Sequence, residues 1–151
     1  MSVEARPVVG ALVPGIPHPL LCPGASPGYQ RLRDGFEAAR QQILAQEPDL
    51  LMVYSTMWPS VIGHQIQADP EPTWVHVDEL FHDLGSIPYT FRIDAEFAEA
   101  LAAAGTERGL HMRTVAYHGF PIDTGSVVAL KLLKSKLAAD ARFVDRFRTE
   151  A

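Results

Sequence analysis

Three histidines stand where an imidazole could bind a metal ion or carry a proton: His18, His64 and His118. His18 lies in Gly15-Ile16-Pro17-His18-Pro19, and its flanking prolines stiffen the backbone, which suits a ligand that must be in place before a metal arrives. His64 ends the stretch Tyr54-Ser55-Thr56-Met57-Trp58-Pro59-Ser60-Val61-Ile62-Gly63-His64, a loop that follows an apolar run. His118 lies in Tyr117-His118-Gly119-Phe120-Pro121-Ile122-Asp123, where Gly119 lets the chain turn beside the ring. An imidazole, with its ordinary pKa of about 6.5, transfers protons readily near neutrality.

Each of the three also has a plainer reading. His18 could bond a loop carbonyl, His64 could be a surface histidine, and His118 could be a turn histidine paired with Asp123. His76 and His82, near Asp78, Glu79 and Asp83, read as a solvated loop, because spacing alone is weak evidence for a metal site. Cys22 has no base beside it in sequence, and neither it nor His111 is given a chemical role. The chain carries no Gly-rich dinucleotide fingerprint, P-loop, G-x-S-x-G elbow or C-x-x-C pair.

The elements that must position these side chains follow from hydrophobic periodicity. Pro7 to Val13 (PVVGALV) and Leu50 to Tyr54 (LLMVY) have the length and composition of buried strands. The Pro- and Gly-dense segment Pro14 to Gly28 reads as neither helix nor central strand. Between the two strands, Leu32, Phe36, Ala39, Ile43 and Leu44 mark one face of a helix over Gln30 to Gln46. Strand, helix and strand in that order predict a parallel crossover unit. Trp74 to Val77, Ile87 to Ile93 and Thr114 to Tyr117 read as short strands, and Asp94 as the cap of a helix. Ser126 to Ala139 reads as a largely buried helix, followed by an amphipathic stretch from Asp140 to Arg148. The expected fold is therefore α/β, a mainly parallel sheet with flanking helices in a single domain over residues 1–151. Functional loops in such folds leave the carboxyl ends of strands, where all three histidines are expected.

An apolar share of 47% over 151 residues is enough for a real core. The net charge of −5 argues against a nucleic-acid surface, and Lys131, Lys134 and Lys136 read as a solvated helix face. Met1 to Arg6 lacks the apolar stretch of a signal peptide, and no run has the roughly 18 apolar residues of a membrane span. A single cysteine suits a reducing compartment. The expectation is a cytoplasmic protein with no membrane partner.

Three segments in order, PGIPHPLL (Pro14 to Leu21), LLMVYSTMWPSVIGHQ (Leu50 to Gln65) and YHGFPIDTG (Tyr117 to Gly125), resemble the class III extradiol ring-cleaving dioxygenase superfamily. That group includes protocatechuate 4,5-dioxygenase catalytic subunits and 2-aminophenol 1,6-dioxygenases. The resemblance covers about residues 8–133 and implies that His18 and His64 bind Fe(II), with His118 an acid–base beside the substrate. Two histidines and a carboxylate on one face of Fe(II) leave positions open for substrate and O2. The substrate it implies is a small aromatic of catechol or aminophenol type. The family's chains are longer than this one. Their glutamate ligand and a second acid–base histidine lie in a later segment with no counterpart here, and Glu150 is not assigned the ligand role.

The resemblance implies oxidative ring cleavage by an iron-binding domain, either a truncated or split catalytic chain or a small member that completes its site across an interface, in a homo- or hetero-oligomer. Two alternatives stay open. One is a non-catalytic subunit that pairs with an active dioxygenase chain, and the other is a zinc-dependent hydrolase using the same histidines.

Overall fold

The computed structural model describes residues 8–60 and 62–134. The fold is mixed α/β with a small parallel sheet and flanking helices, as the periodicity predicts. It comprises two compact units, one of Met1–Tyr54 with Gly125–Ala151 and the other of Ser55–Thr124. The predicted amphipathic stretch Asp140 to Arg148 lies outside the described residues, as does Lys136. Among the described residues no helix is long and apolar enough to cross a membrane.

The first unit is helical. A one-turn helix α1 (His18–Leu21) and a 3-10 turn (Pro23–Ala25) lead into α2 (Pro27–Leu44). The Pro- and Gly-rich segment thus does form helix, contrary to expectation. The reason is positional: Pro19 and Pro27 occupy the first turns of their helices, where a missing N–H costs nothing. The Ser26 hydroxyl accepts the Tyr29 N–H at 3.2 Å and caps α2. Helix α2 buries Phe36 and the stem of Arg40, whose guanidinium pairs with Glu37.

Residues 8–13 and Leu50–Tyr54, predicted as buried strands, take no strand structure. Val8 and Leu12 are fully exposed, and Met52 and Tyr54 largely so. A β-branched run becomes a strand only when a neighbour accepts its ladder of hydrogen bonds. No such ladder forms here among the described residues, so the parallel crossover expected between these two runs is absent.

The second unit contains both sheets. Strand β1 (His64–Gln67) pairs in parallel with β4 (Met112–Val115), from His64 opposite Met112 to Gln67 opposite Val115. Strand β2 (Thr73–Val77) pairs antiparallel with β3 (Ser86–Thr90), close to the predicted 74–77 and 87–93. Bonds from Phe91 N to Pro72 O and from Ile93 N to Pro70 O continue that ladder. Helix α3 (Ala95–Glu107) starts at the expected cap, with Asp94 Oδ1 accepting the Phe97 N–H at 2.9 Å. It packs on β4 and β1. Ile87 and Tyr89 of β3 alternate inward with exposed neighbours and join Phe91, Val115 and Ile122 in the core. Helix α4 (Thr124–Lys134) then leads into the first unit, with Val127 and Val128 fully buried.

The entry to β1 depends on Gly63. Its φ is +73°, and a Cβ there would stand 2.1 Å from the backbone oxygen of His111. That same oxygen accepts the His64 N–H at 2.7 Å. Gly63→Ala is expected to destabilise the protein by roughly 1–3 kcal/mol or more, from the backbone strain plus the clash. Urea denaturation of both proteins measures this.

Candidate functional site

His18 opens α1 after Pro17, is half-buried, and rests its ring on that of Tyr29 with centroids 4.3 Å apart. Arg33 of α2 donates to the Pro19 carbonyl at 3.3 Å, so α1 is tied to α2 at the histidine and at the residue after it. The stiff presentation expected from the flanking prolines is thus reinforced by an aromatic face and a side-chain bond.

His64 is exposed and is the first residue of β1, rather than a loop residue after a strand. The chain before it is pinned by Ser60 Oγ donating to Gly63 O at 2.8 Å and Arg113 donating to Ile62 O at 3.3 Å. His111, given no chemical role from sequence, supplies the backbone oxygen that fixes the His64 N–H.

His118 follows β4, as expected, on an exposed turn in which Gly119 has φ +91°. Its ion-pair partner is Asp69, with Nδ1 3.5 Å from Oδ2, and not the Asp123 that sequence proximity suggested. Asp123 instead accepts the Ser55 hydroxyl at 3.0 Å. Asp69 is buried, immediately beyond the last rung of the parallel pair, where Ala68 N donates to Val115 O at 2.8 Å. The carboxyl ends of two adjacent parallel strands therefore deliver the two members of this pair.

Around His118 the loops are aromatic. Phe120 meets Tyr117 and Trp58 edge-on at centroid distances of 5.3 and 5.4 Å, and Trp58 Nε1 donates to Pro121 O at 2.8 Å. The Tyr89 hydroxyl accepts the Ile122 N–H at 3.0 Å, anchoring the turn from below. Burial raises the Tyr89 pKa above its ordinary range, against the smaller opposing effect of that bond.

His76 and Asp78 do come together, through a residue that sequence reading missed. The Thr124 hydroxyl donates to Asp78 Oδ2 at 2.5 Å and lies 2.7 Å from His76 Nε2. Asp78 Oδ1 also accepts the N–H groups of Leu80 and Phe81, both at 2.9 Å. Burial alone would raise the Asp78 pKa, but the Thr124 bond, the two backbone bonds and the nearby His76 together leave it below its ordinary value. His82, grouped with them by spacing, sits exposed on its own 3-10 turn (His82–Leu84). Among the described residues no three of His, Cys, Asp and Glu stand together as a metal-binding group.

No protein-family profile matches the chain. Among curated proteins it is 32% identical over 123 residues to a 2-aminophenol 1,6-dioxygenase alpha subunit of Pseudomonas sp, covering 82% of this chain and 45% of that subunit. It is 28% identical over 134 residues to a 2-aminophenol 1,6-dioxygenase beta subunit of Pseudomonas sp, covering 84% of this chain and 44% of the subunit. The chain thus spans less than half the length of either relative.

The lowered pKa of Asp78 gives a test by pH. Its folded pKa is depressed, so its contribution to stability is present above the unfolded value of about 3.8 and is lost as pH falls through the folded pKa. Asp78→Asn is therefore expected to be less stable than the parent at pH 7, with the difference shrinking below about pH 3.8. Thermal melts across that range measure it.

Proposed function

We propose that this relative of the class III extradiol ring-cleaving dioxygenases is an iron-dependent domain for the oxidative ring cleavage of a catechol or 2-aminophenol. The observation that carries this reading is the His118–Asp69 pair at the carboxyl ends of β1 and β4, on a turn whose neighbours Tyr117 and Phe120 cluster with Trp58. An exposed imidazole backed by a carboxylate and flanked by aromatic rings suits proton transfer to and from a flat aromatic hydroxyl. In this role His118 takes the proton of the substrate hydroxyl and returns it as the ring opens. The clustered rings of Tyr117, Phe120 and Trp58 offer apolar faces on which an aromatic substrate could rest.

His18 and His64 are the proposed protein ligands to Fe(II). Both are imidazoles, donors that Fe(II) accepts, and the His18 ring is already fixed against Tyr29, so the residues fit the metal in kind. A third ligand, expected to be a carboxylate, is assigned to no described residue. Bound iron would supply the electron transfer that joins substrate and O2. His18 supplies a ring packed in place before the ion arrives, and His64 one whose backbone is fixed by its bond to His111.

The relatives are named as alpha and beta subunits, and the exposed apolar runs 8–13 and Leu50–Tyr54 give this chain surface to bury against a second chain. The working form is accordingly an oligomer, homo- or hetero-. The lone Cys22 suits a reducing cytoplasm.

The test loads the purified protein anaerobically with Fe(II), measures metal content, then follows O2 uptake and product absorbance with 2-aminophenol and catechol. Iron binding that falls at least roughly tenfold in His18→Ala and in His64→Ala, together with ring cleavage by the parent, is the expected result. Iron binding without cleavage overturns the catalytic reading in favour of a subunit that pairs with an active chain. Selective retention of zinc with hydrolytic activity overturns the iron reading.

A further inference from the structure

The geometry points to Asp69 as the positioning residue of the acid–base histidine: it holds the proton of His118 on Nδ1 and leaves Nε2 as the atom that exchanges protons with substrate. This deepens the reading above and rests on it for the identity of the reaction.

Asp69 is buried, its side chain only 11% exposed, while the His118 side chain is 75% exposed. A buried carboxylate is costly unless its oxygens are answered. One oxygen is: Asp69 Oδ1 accepts the Glu71 N–H at 3.1 Å. The backbone of Asp69 is held as well, its N–H donating to Gln67 Oε1 at 3.0 Å. The other oxygen, Oδ2, is buried and receives no hydrogen bond, and the group it faces is His118 Nδ1 at 3.5 Å. That separation is within ion-pair reach and at the outer limit of a hydrogen bond. A small rotation of the exposed ring about its side-chain bonds would close it.

The asymmetry of the pair defines the roles. Asp69 is fixed at the end of a hydrogen-bonded ladder and cannot reach solvent chemistry, whereas His118 can. An ionised carboxylate is an acceptor only, so it selects the imidazole tautomer with hydrogen on Nδ1 and a lone pair on Nε2. When Nε2 takes a proton from a substrate hydroxyl, the carboxylate that faces Nδ1 stabilises the imidazolium that forms. The same oxygen then favours an unchanged ring orientation while Nε2 gives the proton back. Gln67, through Asp69 N, extends the positioning back two residues to the end of β1.

The experiment has two arms. In the first, 15N-histidine NMR of the full chain, with His118 assigned by His118→Gln, reads the tautomer of the neutral ring. The proposal expects hydrogen on Nδ1 in the parent protein and loss of that preference in Asp69→Asn. A parent ring with hydrogen on Nε2 overturns the proposal, whether or not the variant folds. In the second arm, the Fe(II)-loaded protein turns over 2-aminophenol. Asp69→Asn is expected to lose kcat by roughly 10- to 100-fold, with iron content and KM retained, a fraction of what a whole acid–base group contributes. A folded variant with unchanged kcat overturns the positioning role. A parent protein that holds hydrogen on Nδ1 and yet cleaves no ring supports the pair and counts against the dioxygenase reading, so the two failures are separable.

Discussion

Ala68 N donates to Val115 O at the last rung of the parallel pairing between β1 and β4, and the site in the second unit depends on that closure. One residue beyond the rung on β1 stands Asp69, and three beyond it on β4 stands His118. Neighbouring parallel strands run about 4.8 Å apart, so residues leaving the same end of both are brought together by the ladder itself. Helix α3 packs on both strands, and Gly63 admits the close approach of His111 that starts the ladder. The pairing is short, yet each of its two ends holds a candidate group: His64 where it begins, and the carboxylate–imidazole pair where it stops.

The second sheet serves this arrangement from another direction. The chain leaves Asp69 directly into the Pro70 and Pro72 rungs that extend the β2–β3 ladder, so the carboxylate sits at the junction of the parallel and antiparallel pairs. Tyr89, near the end of β3, accepts the Ile122 N–H on its hydroxyl and holds the turn that bears His118. Thr124 ends that turn with its hydroxyl between Asp78 and His76. Along this path Asp69 Oδ2, buried and without a hydrogen bond, faces the exposed imidazole of His118.

Much of this was legible where local rules govern. Helix α2, the Asp94 cap of α3 and the β2–β3 strands follow from periodicity and capping chemistry, which act over a few residues. His118 beyond a strand was legible for the same reason. Strand β1 was not, because His64-Gln65-Ile66-Gln67 is polar and carries no apolar alternation to announce it. The reverse error befell residues 8–13 and Leu50–Tyr54, whose composition promises strands that their neighbours do not complete. The partner of His118 was misjudged because proximity in sequence favoured Asp123, whereas the register of a parallel ladder brings in Asp69. Thr124 gave no signal at all, since a hydroxyl between an imidazole and a carboxylate is visible only in three dimensions.

The surroundings of the two proposed ligands differ in one further respect, the order in which they can assemble. The contacts that seat His18, from Tyr29 and Arg33, come from the helix that follows it directly, and such local contacts form quickly in a folding chain. The β1–β4 ladder joins strands that β2, β3 and α3 separate in sequence, and parallel pairings across such intervals are intrinsically slow. A nascent chain would thus present one ready-made imidazole well before the strand that carries the second is in register. Metal captured early would meet His18 first, and the proton-handling pair would be the last part of the machinery to take shape.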